Sequence, residues 1–218
     1  MPFNTLLSRS AQLEDRVESF FAYPVLHPTA RVEASQVMVS IGLEHARSMK
    51  MLVAAGQYTS AAALLRLQFE SLVRALWLQY VASDDDVQLV VNELTDDSAK
   101  EASRQPMLSA MLSAIEEKAP HVPLAGLKEF KHYSWRPLSS FVHGGIHAIN
   151  RHQRGFPVIL IEALIRNSNG LLAIAANLLL ILTSSPQHGG VMGQLNADFA
   201  DCMPSPHPSM RARDKPAY

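Results

Sequence analysis

Residues 170–182 read Gly-Leu-Leu-Ala-Ile-Ala-Ala-Asn-Leu-Leu-Leu-Ile-Leu, and this run limits the fold more than any other stretch. It falls short of the roughly 20 apolar residues needed to cross a bilayer, and extending it backwards brings in Arg166 and Glu162. A helix apolar on almost every side, yet not membrane-spanning, has to lie at the centre of other helices. The composition can supply them: 48% of the 218 residues are apolar and 18% are charged, a globular balance. The net charge of −1 provides no global positive field, so any contact with RNA or DNA must be local. Cys202 is the single cysteine, which excludes an internal disulfide and fits a reducing compartment. The first residues lack the basic start and apolar run of a signal peptide, so a cytoplasmic location without membrane attachment is expected.

The rest of the chain repeats a period near 3.6. Asn4 or Thr5 can cap a first helix running to about Tyr23, where Pro24 and Pro28 interrupt it. Thr29 is the expected cap of a second helix ending near Ala55, with Gly56 as its stop. A third helix is expected over about 59–82, and Ser83-Asp84-Asp85-Asp86 places a cap and acid at the start of a fourth. Residues 95–105 read as a loop or weak helix, 106–119 as a short amphipathic helix and 150–157 as a basic polar loop. The final long helix covers about 158–183. The expectation is therefore an all-α bundle of about six to eight helices. One domain covers 1–184, and a mostly disordered, proline-containing tail covers 185–218, with a short helical turn near Leu195–Phe199.

Chemistry-bearing residues gather in Tyr133 to His147. If Ser134 caps a helix there and Pro137 sits in its first turn, then Arg136, Ser139 or Ser140, His143 and His147 share one face. A histidine titrates near neutrality and can move a proton, while an arginine stays charged and can hold a phosphate. In that reading His143 is the acid/base, Arg136 the phosphate holder, and Ser140 a supporting hydroxyl. The other reading makes the face structural, a half-buried histidine bonded to a serine beside a surface arginine. Gly144-Gly145 suggests close backbone approach. Upstream, Arg66, Glu70 and Arg74 form a line at four-residue spacing. They are either ion pairs or a charged wall, with Glu70 orienting His143 and the arginines, Tyr133, Ser139 and Arg151 contacting substrate. Glu162, Arg166, Asn169 and Asn177 make a similar polar line in the last helix, expected to pair inside the core. His143 and His147 also have the spacing of a helical metal pair, for which His132 or Glu129 would have to supply a third ligand. No cofactor motif is present.

The stretch Arg136, six residues, then His143 resembles the motif of the HEPN superfamily of helical bundles. That resemblance implies metal-independent RNase chemistry in toxin–antitoxin or phage-defence systems. It also implies a homodimer in which the Arg and His of two subunits meet, and an antitoxin as a further partner. The helix containing Arg66-Leu67-Gln68-Phe69-Glu70, followed by Ser139-Ser140-Phe141-Val142-His143, is also similar to uncharacterised bacterial helical proteins over roughly residues 35 to 182. The expectation carried forward is an RNase acting on RNA at a local site. A non-catalytic helical interaction or dimerisation module is the alternative, and a metal-binding bundle the third.

Overall fold

In the computed structural model, residues 1–205 are described apart from 26, 103, 120, 123 and 184–187. Ten α-helices make up the described chain: α1 Phe3–Glu18, α2 Ala30–Ala54, α3 Tyr58–Tyr80, α4 Asp84–Val91, α5 Asp96–Ala102, α6 Leu108–Lys118, α7 Ala125–Val142, α8 Ile146–Arg154, α9 Val158–Leu182 and α10 His188–Asp198. Short 3-10 turns follow α1 (Ser19–Ala22) and α10 (Ala200–Cys202). No strand occurs among the described residues.

Local chemistry sets several of the boundaries. The Thr29 hydroxyl accepts from the Val32 N–H and starts α2, and Gly56, at φ +74°, terminates α2 in a left-handed conformation. Ser83 and Asp86 form a reciprocal capping box at α4. Thr95 and Ser98 exchange two similar bonds ahead of α5, which explains why so polar a segment is helical.

The hairpin of α2 and α3 is the main scaffold. Small residues hold its seam close: a Cβ on Gly42 would lie 3.7 Å from that of Ser71, and the Ser35 hydroxyl donates to the Ala75 carbonyl. α9 crosses this pair and also packs on α1 and α10. It has the length and hydropathy to cross a bilayer, yet Ile165, Ala176, Leu179 and Leu180 lie fully buried in the bundle. Where α9 meets α3, Gln68 Nε2 donates to the Ser168 carbonyl and the Ser168 hydroxyl returns a bond to Gln68 Oε1, so both buried polar groups are satisfied. α6 and α7 cover the other side of α3.

Three expectations change. The helix count, expected at six to eight, is ten among the described residues: α5 forms where a loop or weak helix was expected, α8 where a loop was, and α10 extends the short turn expected in the tail. Residues 188–205 are an integral part of the fold: Leu195, Phe199 and Cys202 are buried, and Asn169 Nδ2 donates to the Cys202 carbonyl. Arg166 donates to the carbonyls of Asp201 and Met203, so the polar line on α9 holds the C-terminal segment instead of forming core ion pairs. The packed body thus continues past residue 184; the expected disorder of 206–218 lies outside the described residues. A buried ion pair not anticipated from spacing, Lys50 Nζ to Glu14 Oε1 at 2.6 Å, joins α2 to α1.

Candidate functional site

α7 begins at Ala125, so Ser134 and Pro137 lie within it and Ser134 does not cap it. Pro137 removes one intrahelical donor without ending the helix. α7 stops at His143, where Gly144 adopts φ +64° and Gly145 N–H donates to the Ser140 carbonyl at 2.7 Å, a Schellman termination. The expected common face is therefore divided. Arg136 and His143 are carried by α7 and its cap, while His147 belongs to α8. The same break removes the helical metal pair, since His143 and His147 do not share a helix. Among the described residues no three His, Cys, Asp or Glu side chains come together as metal ligands.

The serines are engaged with backbone. Ser140 Oγ accepts from the His147 N–H at 2.9 Å and so caps the first turn of α8. Ser139 Oγ donates to the Trp135 carbonyl one turn earlier. The Arg66–Glu70–Arg74 line is split as well. Arg66 Nε pairs with Glu70 Oε1 at 2.6 Å, and its guanidinium lies 4.3 Å from the centroid of Trp135, which packs edge-on against Phe69. Arg66 Nη1 is buried without a hydrogen-bond partner. Arg74 Nη1 donates to Gln105 Oε1 instead, and Gln105 in turn donates to the Asp86 carbonyl. Glu70 is thus placed against Arg66, not against His143.

Arg136 and His143 differ from these residues. Both are exposed, and the side chain of neither makes a hydrogen bond or ion pair with another described residue. They are seven residues apart, so they project from one side of α7, about 10 Å apart along its axis. Arg136 also lines a groove of 620 Å³ between α6 and α7, together with Lys128, Lys131, His132 and Trp135. Glu116 is the acidic residue of that groove, and it pairs with Lys128 at 2.5 Å. Residues 125–155 hold five Lys and Arg against one Glu, and four of the nine histidines, within a chain of net charge −1. Arg151, on α8, borders a smaller recess with Ile146, His147 and Asn150. Tyr133 lies 42% exposed on α7, its ring edge-on to His132. Beside His143 the surface turns apolar, with Val142, Ile146 and Ile149 exposed, and Val158 and Ile159 exposed at the start of α9.

Residues 39–205, which include most of α2, all of α3, α7 and the C-terminal segment to residue 205, match the sequence profile of DUF6988, a family of unknown function. The chain belongs to the DUF6988 family. No curated protein and no solved structure matches it. The family match covers α3 and everything from α7 through α8, and so every predicted site residue of this DUF6988 member. Sequence reading missed Lys131 and Lys128 as companions of Arg136, although their spacing of three to five residues along one helix was visible in the sequence. It also missed Trp135 as the surface on which Arg66 rests. No local pattern signals that contact, because Arg66 and Trp135 are 69 positions apart.

Proposed function

We propose that this DUF6988 chain acts on RNA, with α7 and α8 as the binding face and Arg136 and His143 as a metal-independent cleaving pair of the HEPN-like kind. The observation that carries the reading is that Arg136 and His143 stand exposed and unengaged on one side of α7, within a locally basic surface. Lys131 and His132 extend that surface along the groove and suit the phosphates of a strand. In the reaction, His143 Nδ1 or Nε2 takes the proton of a ribose 2′-hydroxyl. Its oxygen attacks the adjacent phosphorus, the P–O5′ bond breaks, and a 2′,3′-cyclic phosphate and a 5′-hydroxyl form once O5′ receives a proton. Arg136 stabilises the negative charge that gathers on the non-bridging oxygens.

A second copy of the chain fits this scheme. Exposed Val142, Ile146 and Ile149 form an apolar edge next to His143, and a copy docked there would bring a second histidine to protonate O5′. The same edge supports the alternative of a dimerisation module without catalysis, and an antitoxin would be a competitor for it.

Incubation of single-stranded RNA with purified protein in a chelator tests the proposal. Wild type is expected to leave cyclic-phosphate ends, and His143→Ala or Arg136→Ala to cut at least about a hundredfold more slowly at unchanged thermal midpoint. Equal cleavage by all three proteins, or none by wild type, overturns the enzyme reading. A dimer in light scattering that Ile146→Asp dissociates would then leave the interaction module standing.

A further inference from the structure

On the side of α7 that faces α3 and α9 there is a second recess of 140 Å³, walled by Leu65, Leu138, Phe141 and Phe156. Its size is that of a single planar ring: an apolar protein cavity of about 150 Å³ holds benzene. This recess is not uniformly apolar, however. Ser134 and Asn167 are among its lining residues, and the side chain of neither makes a hydrogen bond to another described residue. A donor–acceptor amide and a hydroxyl beside aromatic walls suit a flat heterocycle with polar edges better than a hydrocarbon. The position of the recess narrows the ligand further. Tyr133 lies half-exposed at its edge, and Arg136 follows three residues later, so a cation neighbours the tyrosine on the helix surface.

We propose that this recess receives an unpaired nucleobase of single-stranded RNA, stacked among Phe141, Phe156 and Tyr133, with its edge met by Asn167 and Ser134 and its own phosphate on Arg136. The inference rests on the RNA reading above and makes it more specific: the substrate is single-stranded, and one base position is selected. A base paired in a duplex cannot enter such a recess without being unstacked first.

The test uses the full chain and binding, not cleavage. Ala163, in the wall contributed by α9, is replaced by Phe to fill the recess, and Asn167→Leu removes the amide at similar size. Affinities are measured for ten-nucleotide homopolymers of each base and for a duplex, and the four nucleoside monophosphates are titrated by NMR. Wild type is expected to prefer one homopolymer. Ala163→Phe is expected to weaken that binding about tenfold or more, leaving duplex binding unchanged, and Asn167→Leu to flatten the preference among bases. If Ala163→Phe does not fold, the Asn167→Leu result and the monophosphate titration decide. Equal wild-type affinity for all homopolymers and the duplex, or undiminished affinity and preference in folded variants, overturns the base recess and leaves the RNase reading intact. Monophosphates that shift residues of the recess while no RNA is bound or cut would overturn the RNA reading and retain a nucleotide site. Absence of both kinds of binding removes both.

Discussion

Arg47 reaches from α2 to α1, pairing with Glu18 at 2.8 Å and Asp15 at 3.3 Å. The guanidinium, by hydrogen bond first and by charge second, holds the Glu18 carboxyl below its ordinary value of 4.5. A carboxyl whose folded-state pKa is depressed adds stability above its unfolded pKa and loses that contribution as pH falls through the folded value. The protein should therefore lose thermal stability below about pH 4.5, and Glu18→Gln should make that acid limb shallower. A series of melting curves between about pH 3 and pH 6 measures it. The effect will be small because Glu18 is largely solvated. The residues of the candidate site were legible as types and spacings, but not as partners. Arg66, Glu70 and Arg74 lie on one line as expected. Which of them is engaged depends on Trp135 and Gln105, and helix periodicity carries no information about side chains that arrive from other elements.

The α7–α8 junction is the element that most shapes the proposed site. A Cβ built on Gly145 would stand 2.6 Å from Ser140 Oγ and 3.3 Å from Ser140 Cα, so the cap on α8 has no room for a side chain there. Gly145→Ala should displace the Ser140 hydroxyl and cost about 1 kcal/mol, as loss of a helix cap does. Chemical denaturation of the variant beside Ser140→Ala checks this: similar losses, and no further loss on combining the two, are expected. The helix ends at Thr29, Gly56 and Ser83 could be read from the sequence because a cap is chemistry between residues two or three apart. The end of α7 could not be read in the same way. Gly144-Gly145 at that position suited either a tightly packed helix interior or a left-handed stop, and the 3.6 period of Arg136, Ser140, His143 and His147 continues across the break as though the helix did.

Across the whole molecule, the bundle class and its three long helices followed from apolar periodicity, since burial of apolar area largely decides that level of structure. The ordered C-terminal segment did not, because its few apolar residues are separated by glycine, proline and polar groups, and it is held by Asn169, Arg166 and Arg9 from other parts of the chain. The buried Lys50–Glu14 pair belongs to this level too. Burial pushes the Lys50 ammonium down from its ordinary value, and Glu14 opposes that shift. Lys50→Met alone would leave the buried Glu14 with only the longer contact to Arg47 Nε, at 3.9 Å, and should cost about 3 kcal/mol. The double variant Glu14→Leu, Lys50→Met should regain most of that loss in the same denaturation experiment.

Asn169 Nδ2 donates both to Ser10 Oγ in the first helix and to the Cys202 carbonyl near the end of the described chain. One side chain thus ties the earliest and latest parts of the fold to its centre. During synthesis, α1 emerges long before either partner exists, and the node can close only after residue 202 has been made. The α2–α3 hairpin, whose contacts are nearby in sequence, can form first, whereas the final locking of α1 waits for residue 202.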